Sequence, residues 1–543
     1  MSLDTFLYNL HFNVDKVTPP GWEVDWDDAP LPYKLYHQLP AVPLSLEVPL
    51  TLDAISVRSS VKPTHDEIGH LLWYVYGLSQ VSHTPYLSED EDTMDIMQSY
   101  RRFVPSGGAR YPNEVYVYLK LEDIPTGVYH YDVAHHRLIL LREGHYDNYI
   151  ARALGHRCDI GACCGTVFVS TRFWKNYFKY HNFSYRLQGL DTGVLIGQLL
   201  EVAKRFDFAS PVYFQFLDRA VNHLLGLSER EESVYAVIPL SEKTMDAGHH
   251  NQAERIGANE AYDLSKIEEA TSLCAELPKR QHHIIERSRN VKPFPMLLKL
   301  NEAAMQETTR AFGRLQTSER MADTAYTGHT DLTVPLPQVT RASYDLATAS
   351  GERYSPEMDF VLGKVSQSQL ATLLQETMAT FKHWNDIDTT VHRQIPTRIK
   401  LYVCLYQVEG IPDGAYYYDC TAHTLQQVHP GDHRLPLQLG MDMATVNVLQ
   451  TPLCFHLVGD RDHYIPSLGY RGYRIQQMEA GMLLQKLLLA ATTLGMGGHP
   501  LLGYDVKQCD ELYQLQSRGQ TTLIQIPVGP YRPRPWIKAN LQS

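Results

Sequence analysis

The stretch GVYHYDVAHHRL, from Gly127 to Leu138, returns further along the chain as GAYYYDCTAHTL, from Gly414 to Leu425 (414 − 127 = 287 residues later). A longer pattern, KYHNFSYRLQGLDTGVLIGQLLEVA, begins at Lys179 and returns as SLGYRGYRIQQMEAGMLLQKLLLAA from Ser467 (467 − 179 = 288 residues later). A nearly constant offset across two separate patterns indicates an internal duplication. A period of this length indicates duplicated domains rather than a solenoid of short repeats.

The length of 543 residues is too great for one hydrophobic core and fits two domains with a connection between them. The repeats predict a first domain over residues 1–240, a mainly helical connector over 241–330 and a second domain over 331–543. The parts of the two domains that repeat each other are called the first copy and the second copy below. Two connector stretches, NEAYDLSKIEEATSLCAEL and MLLKLNEAAMQETTRAFGRLQ, have helix-forming residues with regularly spaced apolar positions. They are compatible with a plain linker or with a helical arm packed on a copy.

The composition excludes several classes of protein. A hydrophobic content of 44% and a charged content of 20% are ordinary for a globular protein, and the net charge of −12 argues against a nucleic-acid partner. No apolar run approaches the roughly 18–20 residues that a membrane span needs, and the start, MSLDTFLYNLHFNVDK, lacks the basic region of a signal peptide. We therefore expect a cytoplasmic protein without a membrane partner.

The cysteines predict neither a disulfide framework nor a metal centre. Eight cysteines in 543 residues are too few for a disulfide scaffold. Cys158, Cys163 and Cys164 lie near His156, but this spacing matches no common zinc knuckle and no fourth ligand is evident. We therefore expect no metal.

The order of strand and helix patterns is the same in both copies. The first copy has a strand pattern at EVYVYLKL (114–121), a hairpin that starts at GVYHYD, and a strand at TVFVSTRFW (166–174). A helix follows, with Leu195, Leu199 and Val202 on one face. The second copy repeats this order with strand patterns at IKLYVCLYQV, VNVLQTPLCFHLV and TTLIQIPVG and a helix over 480–494. Hairpins mixed with helices indicate an α+β fold, and no G-x-G-x-x-G follows a strand in the setting of a dinucleotide-binding fold.

Each copy lacks a motif that the other retains. Only the first copy has the glycine loop PSGGARYP (105–112), where the second reads IPTRIKLY. Only the second has the tripeptide Arg-Ala-Ser (341–343) and the turn GMGG (495–498). Two adjacent glycines allow close approach of the backbone to a flat ligand and leave amide N–H groups free to donate, although a tight turn before a strand would have the same composition.

In their order and spacing, PSGGARYPNEVYVYL, GVYHYDVAHHRL and KYHNFSYRLQGLDTGVLIGQLL resemble the SagB/McbC type of flavin oxidoreductase. This type belongs to the FMN-dependent nitroreductase superfamily and oxidises azoline rings in ribosomally made peptides. The resemblance covers both copies but neither the connector nor the N-terminal segment, and it is more specific in the first copy. It implies two tandem nitroreductase-like domains that form an intramolecular pseudo-dimer.

The resemblance also implies FMN at the interface between the copies, with residues from both. The residues that match the family's cofactor motifs are Pro105, Ser106, Gly107 and Gly108 in the first copy and Arg341, Ser343, Gly495, Met496, Gly497, Gly498, Arg532 and Arg534 in the second. Guanidinium groups bind phosphate in a bidentate way, but Arg532 and Arg534 are also compatible with a solvated tail. The opposite site lacks the glycine loop, and KRFDFASP replaces LGMGGHP there, so we expect one FMN per chain.

Lys179 and Tyr180 match the Lys-Tyr pair of azoline-oxidising relatives, whereas the second copy has Ser467 and Leu468 at these positions. A lysine desolvated near a flavin has a lowered pKa and can accept a proton from the substrate. Without the resemblance, the pair would be compatible with a surface lysine beside a core tyrosine.

Three functions follow from these residues. The first is the FMN-dependent oxidation of a ribosomally derived peptide, most simply azoline to azole with dioxygen as the final oxidant. The second keeps the cofactor but oxidises or hydroxylates an aromatic side chain such as tryptophan in a peptide-derived pathway. The third is a flavin-free binding protein that has lost the activity. The expected partners are a peptide substrate and other modification enzymes of the pathway, and the fused chain would be a monomer or a dimer of fused chains.

Overall fold

The repeated strand patterns form antiparallel sheets. A computed structural model describes residues 1–53, 62–87, 94–242, 267–315, 332–379, 381, 383–388, 398–534 and 537–540. The strands of this part of the chain are β1 (Ala41–Pro43), β2 (Leu78–Leu87), β3 (Met94–Arg102), β4 (Asn113–Leu119), β5 (Gly127–Asp132), β6 (Arg137–Glu143), β7 (Gly165–Arg172), β8 (Phe208–Ala209), β9 (Glu232–Glu242), β10 (Thr333–Pro335), β11 (Lys400–Leu405), β12 (Gly414–Asp419), β13 (Thr424–Pro430), β14 (Leu453–Asp460), β15 (Gly497–Gly498), β16 (Gln520–Gly529) and β17 (Ile537–Asn540).

The helices are distributed over both copies and the connector. Those of the first copy and its N-terminal segment are Leu3–Phe12, His65–Tyr76, Asp147–Ala153, Trp174–Tyr180, Ser184–Arg205 and Asp218–Leu225. Those of the connector are Ala270–Glu276 and Pro295–Ala304. Those of the second copy are Leu346–Glu352, Gln367–Met378, Arg434–Leu439, Ile465–Leu468, Tyr470–Thr493 and Val506–Leu512. None of these helices is both long and apolar enough to span a bilayer.

The two large sheets have the same strand order. The first runs β1-β6-β5-β4-β7-β9-β8 and the second runs β10-β13-β12-β11-β14-β16-β15. Each strand of the first sheet thus has a counterpart at the same place in the second, and all pairs are antiparallel. The predicted α+β class and the duplication are confirmed.

A small third sheet joins the ends of the two copies. The C-terminal strand β17 pairs with β2, which pairs in turn with β3 of the first copy. The end of the second copy therefore crosses onto the first copy, where β2 separates it from β3, the strand that leads towards the glycine loop.

The two long helices Ser184–Arg205 and Tyr470–Thr493 pack against each other at the centre of the molecule. A Cβ atom on Gly193 would lie 2.0 Å from the carbonyl oxygen of Met478, and one on Gly481 would lie 2.2 Å from the carbonyl oxygen of Leu190. Gly193 and Gly481 are equivalent residues, 288 apart. The helices approach so closely only because glycine has no side chain, and the reciprocal contacts are those of an intramolecular pseudo-dimer, as predicted.

The connector helices pack on the copies through apolar residues. Ala270 and Leu273 of the first connector helix are fully buried, as are Leu297 and Leu300 of the second. This is the arrangement of a packed arm rather than of a plain linker. The second helix ends at Ala304, well before the end of the predicted stretch at Gln316.

One predicted strand starts later than its pattern indicates. The stretch VNVLQTPLCFHLV (446–458) was expected to be extended, but Val448–Gln450 forms a 3-10 turn and β14 begins at Leu453. Pro452 precedes the strand and lacks the N–H that a sheet ladder requires, so it limits the strand to the residues after it.

Candidate active site

The glycine loop lies directly on the Lys-Tyr pair. Gly107–Ala109 form a 3-10 turn in which Gly108 has a φ of 57°, in the left-handed region that favours glycine. A Cβ atom on Gly108 would lie 2.2 Å from the Tyr180 hydroxyl oxygen and 2.8 Å from the Lys179 Nζ. The fold therefore brings together two motifs that are about seventy residues apart in sequence, and only a glycine leaves room for both side chains.

A buried carboxyl group holds this loop in place. The Ser106 hydroxyl donates a hydrogen bond of 2.6 Å to Asp191, and the Gly107 N–H donates one of 3.2 Å to the other carboxyl oxygen. The Ser106 oxygen in turn accepts the N–H of Tyr111 at 2.8 Å. Burial raises the pKa of Asp191 to about 7, against the opposing effect of the two hydrogen bonds. Asp191 belongs to none of the motifs recognised in the sequence.

Lys179 and Tyr180 are both partly buried, and burial shifts their pKa values in opposite directions. Burial, and then the charge of Arg110, lower the pKa of Lys179, while the smaller effect of the Glu357 charge raises it. Burial raises the pKa of Tyr180 to about 12. Lys179 therefore releases its proton more easily than a free lysine, whereas Tyr180 remains a hydrogen-bond donor near neutral pH.

A cavity of about 610 Å³ opens between the copies, within the roughly 300–1,000 Å³ typical of small-molecule sites. Both copies and the N-terminal segment line it. The lining residues are Leu50, Ser79, Gln80, Arg101, Phe103, Ala347, Thr348, Gly351, Glu352, Tyr354, Tyr531, Pro533 and Arg534. The glycine loop begins only two residues after Phe103, so the cavity and the loop adjoin.

Two arginines, one from each copy, interact through their charges beside this cavity, and within the described residues neither forms an ion pair with a carboxylate. Arg101 is partly buried and lines the cavity, whereas Arg353 is 4% exposed and lies between two lining residues, Glu352 and Tyr354, without lining the cavity itself. Burial, and then the charge of Arg101, lower the pKa of Arg353 to about 9, and burial also lowers the pKa of Arg101. In the described part of the chain, one terminal nitrogen of Arg101 and the Nε of Arg353 are buried without a hydrogen-bond partner. Unpaired buried cations are costly, so this pair fits an anionic group such as a phosphate.

The GMGG turn packs behind the cavity wall. Gly495 has a φ of 71°, and a Cβ atom on Gly497 would lie 2.5 Å from Pro356 and 2.9 Å from the ring of Tyr531, which lines the cavity. Gly497 and Gly498 pair with β16, and Met496 is buried. The turn thus supports the wall through its glycines.

The predicted basic residues divide into one that lines the cavity and two that do not. Arg534 lines the cavity, with ion pairs of 2.9 Å to Glu357 and 2.6 Å to Asp359. Arg532 is exposed, and its N–H donates to the carbonyl oxygen of Asp359. The Arg341 side chain is 65% exposed and pairs with Glu376 at 3.0 Å.

Ser343 is exposed as well, and neither it nor Arg341 belongs to the cavity lining. The spacing R-x-S occurs a second time twelve residues later, as Arg353-Tyr354-Ser355. That repetition was the sequence signal for Arg353, whereas no motif identified Arg101.

Comparison with known proteins agrees with this architecture. Residues 59–240 and 364–530 match the nitroreductase family. The chain belongs to the nitroreductase family. The resemblance found in the sequence is thereby confirmed at the level of the family. Its members are flavin-dependent oxidoreductases that generally use FMN, and the chain is an oxidoreductase of this kind.

Among curated proteins, the trifolitoxin-processing protein TfxB of Rhizobium leguminosarum bv. trifolii is 30% identical over 160 residues, 27% of this chain and 42% of TfxB. The chain thus matches less than half of that relative's length. A crystal structure of an Anabaena variabilis ATCC 29413 protein assigned as a nitroreductase superposes over 98% of this chain and 99% of its own, with a TM-score of 0.70 and 20% identity. This similarity concerns the fold alone. The McbBCD microcin synthetase complex of E. coli with truncated pro-MccB17 matches over 34% of this chain and 70% of its own, with 19% identity and a TM-score of 0.29, too low to support an inference.

Proposed function

We propose that the two copies together bind one FMN and oxidise a ribosomally derived peptide, most simply an azoline ring to an azole, with dioxygen as the final oxidant. The observation that carries the proposal is a pair of arginines without a carboxylate partner among the described residues: Arg101, which lines the cavity between the copies, and Arg353, which is buried between two lining residues. One copy supplies each arginine, so neither copy alone would hold the anion.

The residues around the cavity fit an FMN with its phosphate at this pair. Arg101 and Arg353 would neutralise the phosphate, and the buried nitrogens would gain the acceptors that they lack. Pro105 to Gly108 would contribute backbone N–H groups from the first copy, with Asp191 fixing the loop. The GMGG turn and Arg534 would complete the site from the second copy. Arg341, Ser343 and Arg532 remain predictions from the sequence, because they are exposed and do not line the cavity.

The proposed reaction removes one proton and one hydride from the substrate ring. FMN, when bound, supplies the hydride acceptor. Lys179, whose pKa is lowered by burial and by Arg110, would take the proton from the ring carbon as its neutral amine. Tyr180 would stay protonated and orient the substrate through its hydroxyl, next to Gly108.

Two sequence similarities support a peptide substrate. The motifs of the first copy resemble the SagB/McbC type, and TfxB, named for trifolitoxin processing, matches 27% of the chain. A peptide-modifying enzyme of this kind would act beside the other enzymes of its pathway, which would be its partners.

The test compares two kinds of peptide and two lysine variants. The FMN-loaded protein is incubated in air with a thiazoline-containing peptide and with a tryptophan-containing peptide, and the products are analysed by mass spectrometry. We expect the thiazoline peptide to lose two hydrogens. A peptide that instead gains oxygen at tryptophan, with the thiazoline unchanged, would overturn the azoline reaction in favour of the aromatic one.

The lysine variants separate catalysis from cofactor binding. Lys179→Ala should retain FMN but lose roughly 100-fold in turnover, the usual contribution of a general base. Lys299→Ala, which removes an exposed lysine of the connector, is the control and should behave as wild type. Wild-type turnover by Lys179→Ala would contradict the catalytic role of this lysine.

A further inference from the structure

An exposed indole from the N-terminal segment lies beside the glycine loop and the Lys-Tyr pair. Trp26 is 52% exposed and meets the ring of Phe178 edge-on at 5.5 Å. The Arg110 guanidinium lies 5.4 Å from the centre of the indole, and the Lys179 Nζ lies 5.6 Å from it. Trp26 precedes the part of the first copy that matches the family, which starts at residue 59.

The connector and the helix Trp174–Tyr180 fix the segment that carries Trp26. The Trp22 indole N–H donates to the carbonyl oxygen of Phe178 at 3.2 Å. The Asp28 carboxylate accepts the N–H groups of Arg289 at 2.6 Å and Asn290 at 2.8 Å. Because both sides of the segment are held, the indole is a fixed wall rather than part of a loose loop.

Arg110 and Lys179 are two neighbouring cations without a counter-ion. Arg110 is oriented by a hydrogen bond of 2.8 Å from its Nε to the carbonyl oxygen of Gly108, which leaves its two terminal nitrogens to face a ligand. Within the described residues, neither side chain forms an ion pair. Burial lowers the pKa values of both. An arginine does not relieve such a cost by losing its proton, so a bound anion would offset it more fully than solvent and the aromatic rings of Trp26 and Phe178 do.

Among the described residues, the acidic side chains nearby do not form ion pairs with Arg110 or Lys179. Glu357, whose charge acts on Lys179, is bonded to Arg534 at 2.9 Å. Asp25 and Asp27 flank Trp26 but are exposed, and Asp25 accepts the N–H of Asp28. The cationic corner beside the indole is therefore open to an external anion.

We propose that Arg110 and Trp26 form a subsite for a carboxylate of the substrate, next to Lys179. The guanidinium would bind the carboxylate with two parallel hydrogen bonds, and the indole would cover one face of the substrate and exclude water. This inference deepens the proposed function and rests on it, because the subsite selects peptides that carry an acidic group close to the reacting residue. The carboxylate comes from an acidic side chain or from a chain terminus.

The test uses two pairs of small probes with the full-length, FMN-loaded protein. N-acetyl-glutamate amide is compared with N-acetyl-glutamine amide, and N-acetyl-alanine with its amide, by ligand-observed NMR titration. We expect the wild type to bind at least one carboxylate probe roughly ten-fold more tightly than its neutral match, as a charge-assisted bidentate contact gives. A preference in the glutamate pair identifies a side-chain carboxylate, and a preference in the alanine pair identifies a chain terminus.

The variants assign that preference to the subsite. Arg110→Gln should abolish it, and Trp26→Leu should weaken the binding of charged and neutral probes alike by about three-fold. Arg230→Gln, which changes an exposed arginine elsewhere in the first copy, is the matched control and should retain the preference. Equal binding of both members of each pair by the wild type, or a preference that survives Arg110→Gln, overturns the subsite.

Flavin content, measured on every variant, separates this inference from the proposed function. Loss of flavin from Arg110→Gln alone would assign the arginine to the cofactor and overturn the subsite. If the wild type bound no FMN, the proposed function would fail, but the probe titrations would still decide the subsite.

Discussion

Asp191 in the first copy and Glu479 in the second are equivalent residues, 288 apart, on the two helices that pack together at the centre of the molecule. Asp191 accepts hydrogen bonds from the Ser106 hydroxyl and the Gly107 N–H and forms no ion pair within the described residues. Glu479 pairs with the buried guanidinium of Arg398, which also bonds to Asp388. Although burial opposes the charge, Glu479 and Asp388 raise the pKa of Arg398.

This difference shows how one duplicated framework supports two different loops. The strand pairings place β11 at an offset of 402 − 116 = 286 residues from β4, so Arg398 is the counterpart of Pro112, the last residue of the glycine loop. In the second copy a buried ion-pair cluster therefore occupies the place at which the open glycine loop of the first copy ends. Both copies thus retain a carboxyl group at this helical position. In the first copy it holds the glycine loop through hydrogen bonds, and in the second copy it forms an ion pair with Arg398.

The largest expected difference concerns stability. Glu479→Gln leaves Arg398 with Asp388 as its remaining carboxylate partner, and breaking a buried pair costs about 3 kcal/mol. Asp191→Asn retains a hydrogen-bonding group of the same size and should cost about 1 kcal/mol near neutral pH. Urea unfolding followed by circular dichroism measures both values. Equal losses from the two variants would contradict the comparison.

The second prediction concerns FMN affinity, to which both copies should contribute. Arg101→Gln and Arg353→Gln should each weaken FMN binding roughly 100-fold, as the loss of a charged phosphate contact does. Arg341→Gln should change it less than about three-fold, because the Arg341 side chain is exposed and already paired with Glu376. Titration of the flavin-free protein, followed by flavin fluorescence, gives the three dissociation constants.

The stability of the flavin-free variants provides the control. Arg353→Gln removes a buried charge without a counter-ion, so the melting temperature of the flavin-free protein should stay equal or rise. A large fall would mean that the lost affinity reflects misfolding. If Arg341→Gln lost as much FMN affinity as Arg353→Gln, the sequence-based prediction that Arg341 binds the phosphate would stand. The assignment of the phosphate to Arg353 alone in the second copy would then be wrong.

The third prediction uses the pKa of Asp191, which is about 7 in the folded protein and 3.8 for an unperturbed group. Because the folded pKa is the higher one, the folded state binds more protons between these values, and stability falls as the pH rises through this window. From roughly pH 5.5 to 7, the wild type should lose about 2 kcal/mol relative to Asp191→Asn. Urea unfolding of both proteins across this range measures the difference. Parallel pH profiles would show that Asp191 does not titrate in this way.

The smallest expected difference lies at the shared helix pair. Gly193→Ala and Gly481→Ala each place a methyl group against the backbone of the facing helix, at 2.0 Å and 2.2 Å. Overpacking of this kind costs about 2 kcal/mol, and the two variants should agree within about 0.5 kcal/mol. Urea unfolding provides the values. A variant that is tolerated in one copy and not in the other would show that the pseudo-symmetry fails at its centre.

The sequence predicted the duplicated fold because local patterns repeat in the same order. Strand patterns such as GVYHYD and its counterpart GAYYYD are local, and the antiparallel order of the two sheets follows from the same order of hairpins in each copy. The exception was VNVLQTPLCFHLV, where apolar residues before Pro452 resemble a strand but form a turn. Periodicity alone did not separate the two cases.

The site was less predictable because two similar motifs differ in burial, which their spacing does not reveal. Arg341-x-Ser343 and Arg353-x-Ser355 have the same spacing, and only the packing of the chain buries Arg353. Arg101 lies in β3, and the pairing of β3 with β2 determines which face of the small sheet the Arg101 side chain occupies. Asp191 lies in a helix that is buried on all sides. Its sequence context does not distinguish it from other helical acidic residues, because the hydrogen bond from Ser106 that marks its role comes from a distant part of the chain.

The central claim is that the two copies share one complete flavin site, and counting the flavin tests it most directly. The freshly purified protein is examined by its visible spectrum, its flavin is released by heat, and the amount is divided by the amount of chain. The account predicts one FMN per chain. Two FMN per chain would mean that the ionic cluster around Arg398 does not block the second site. No FMN, even after incubation with the cofactor, would mean that Arg101 and Arg353 bind another anion.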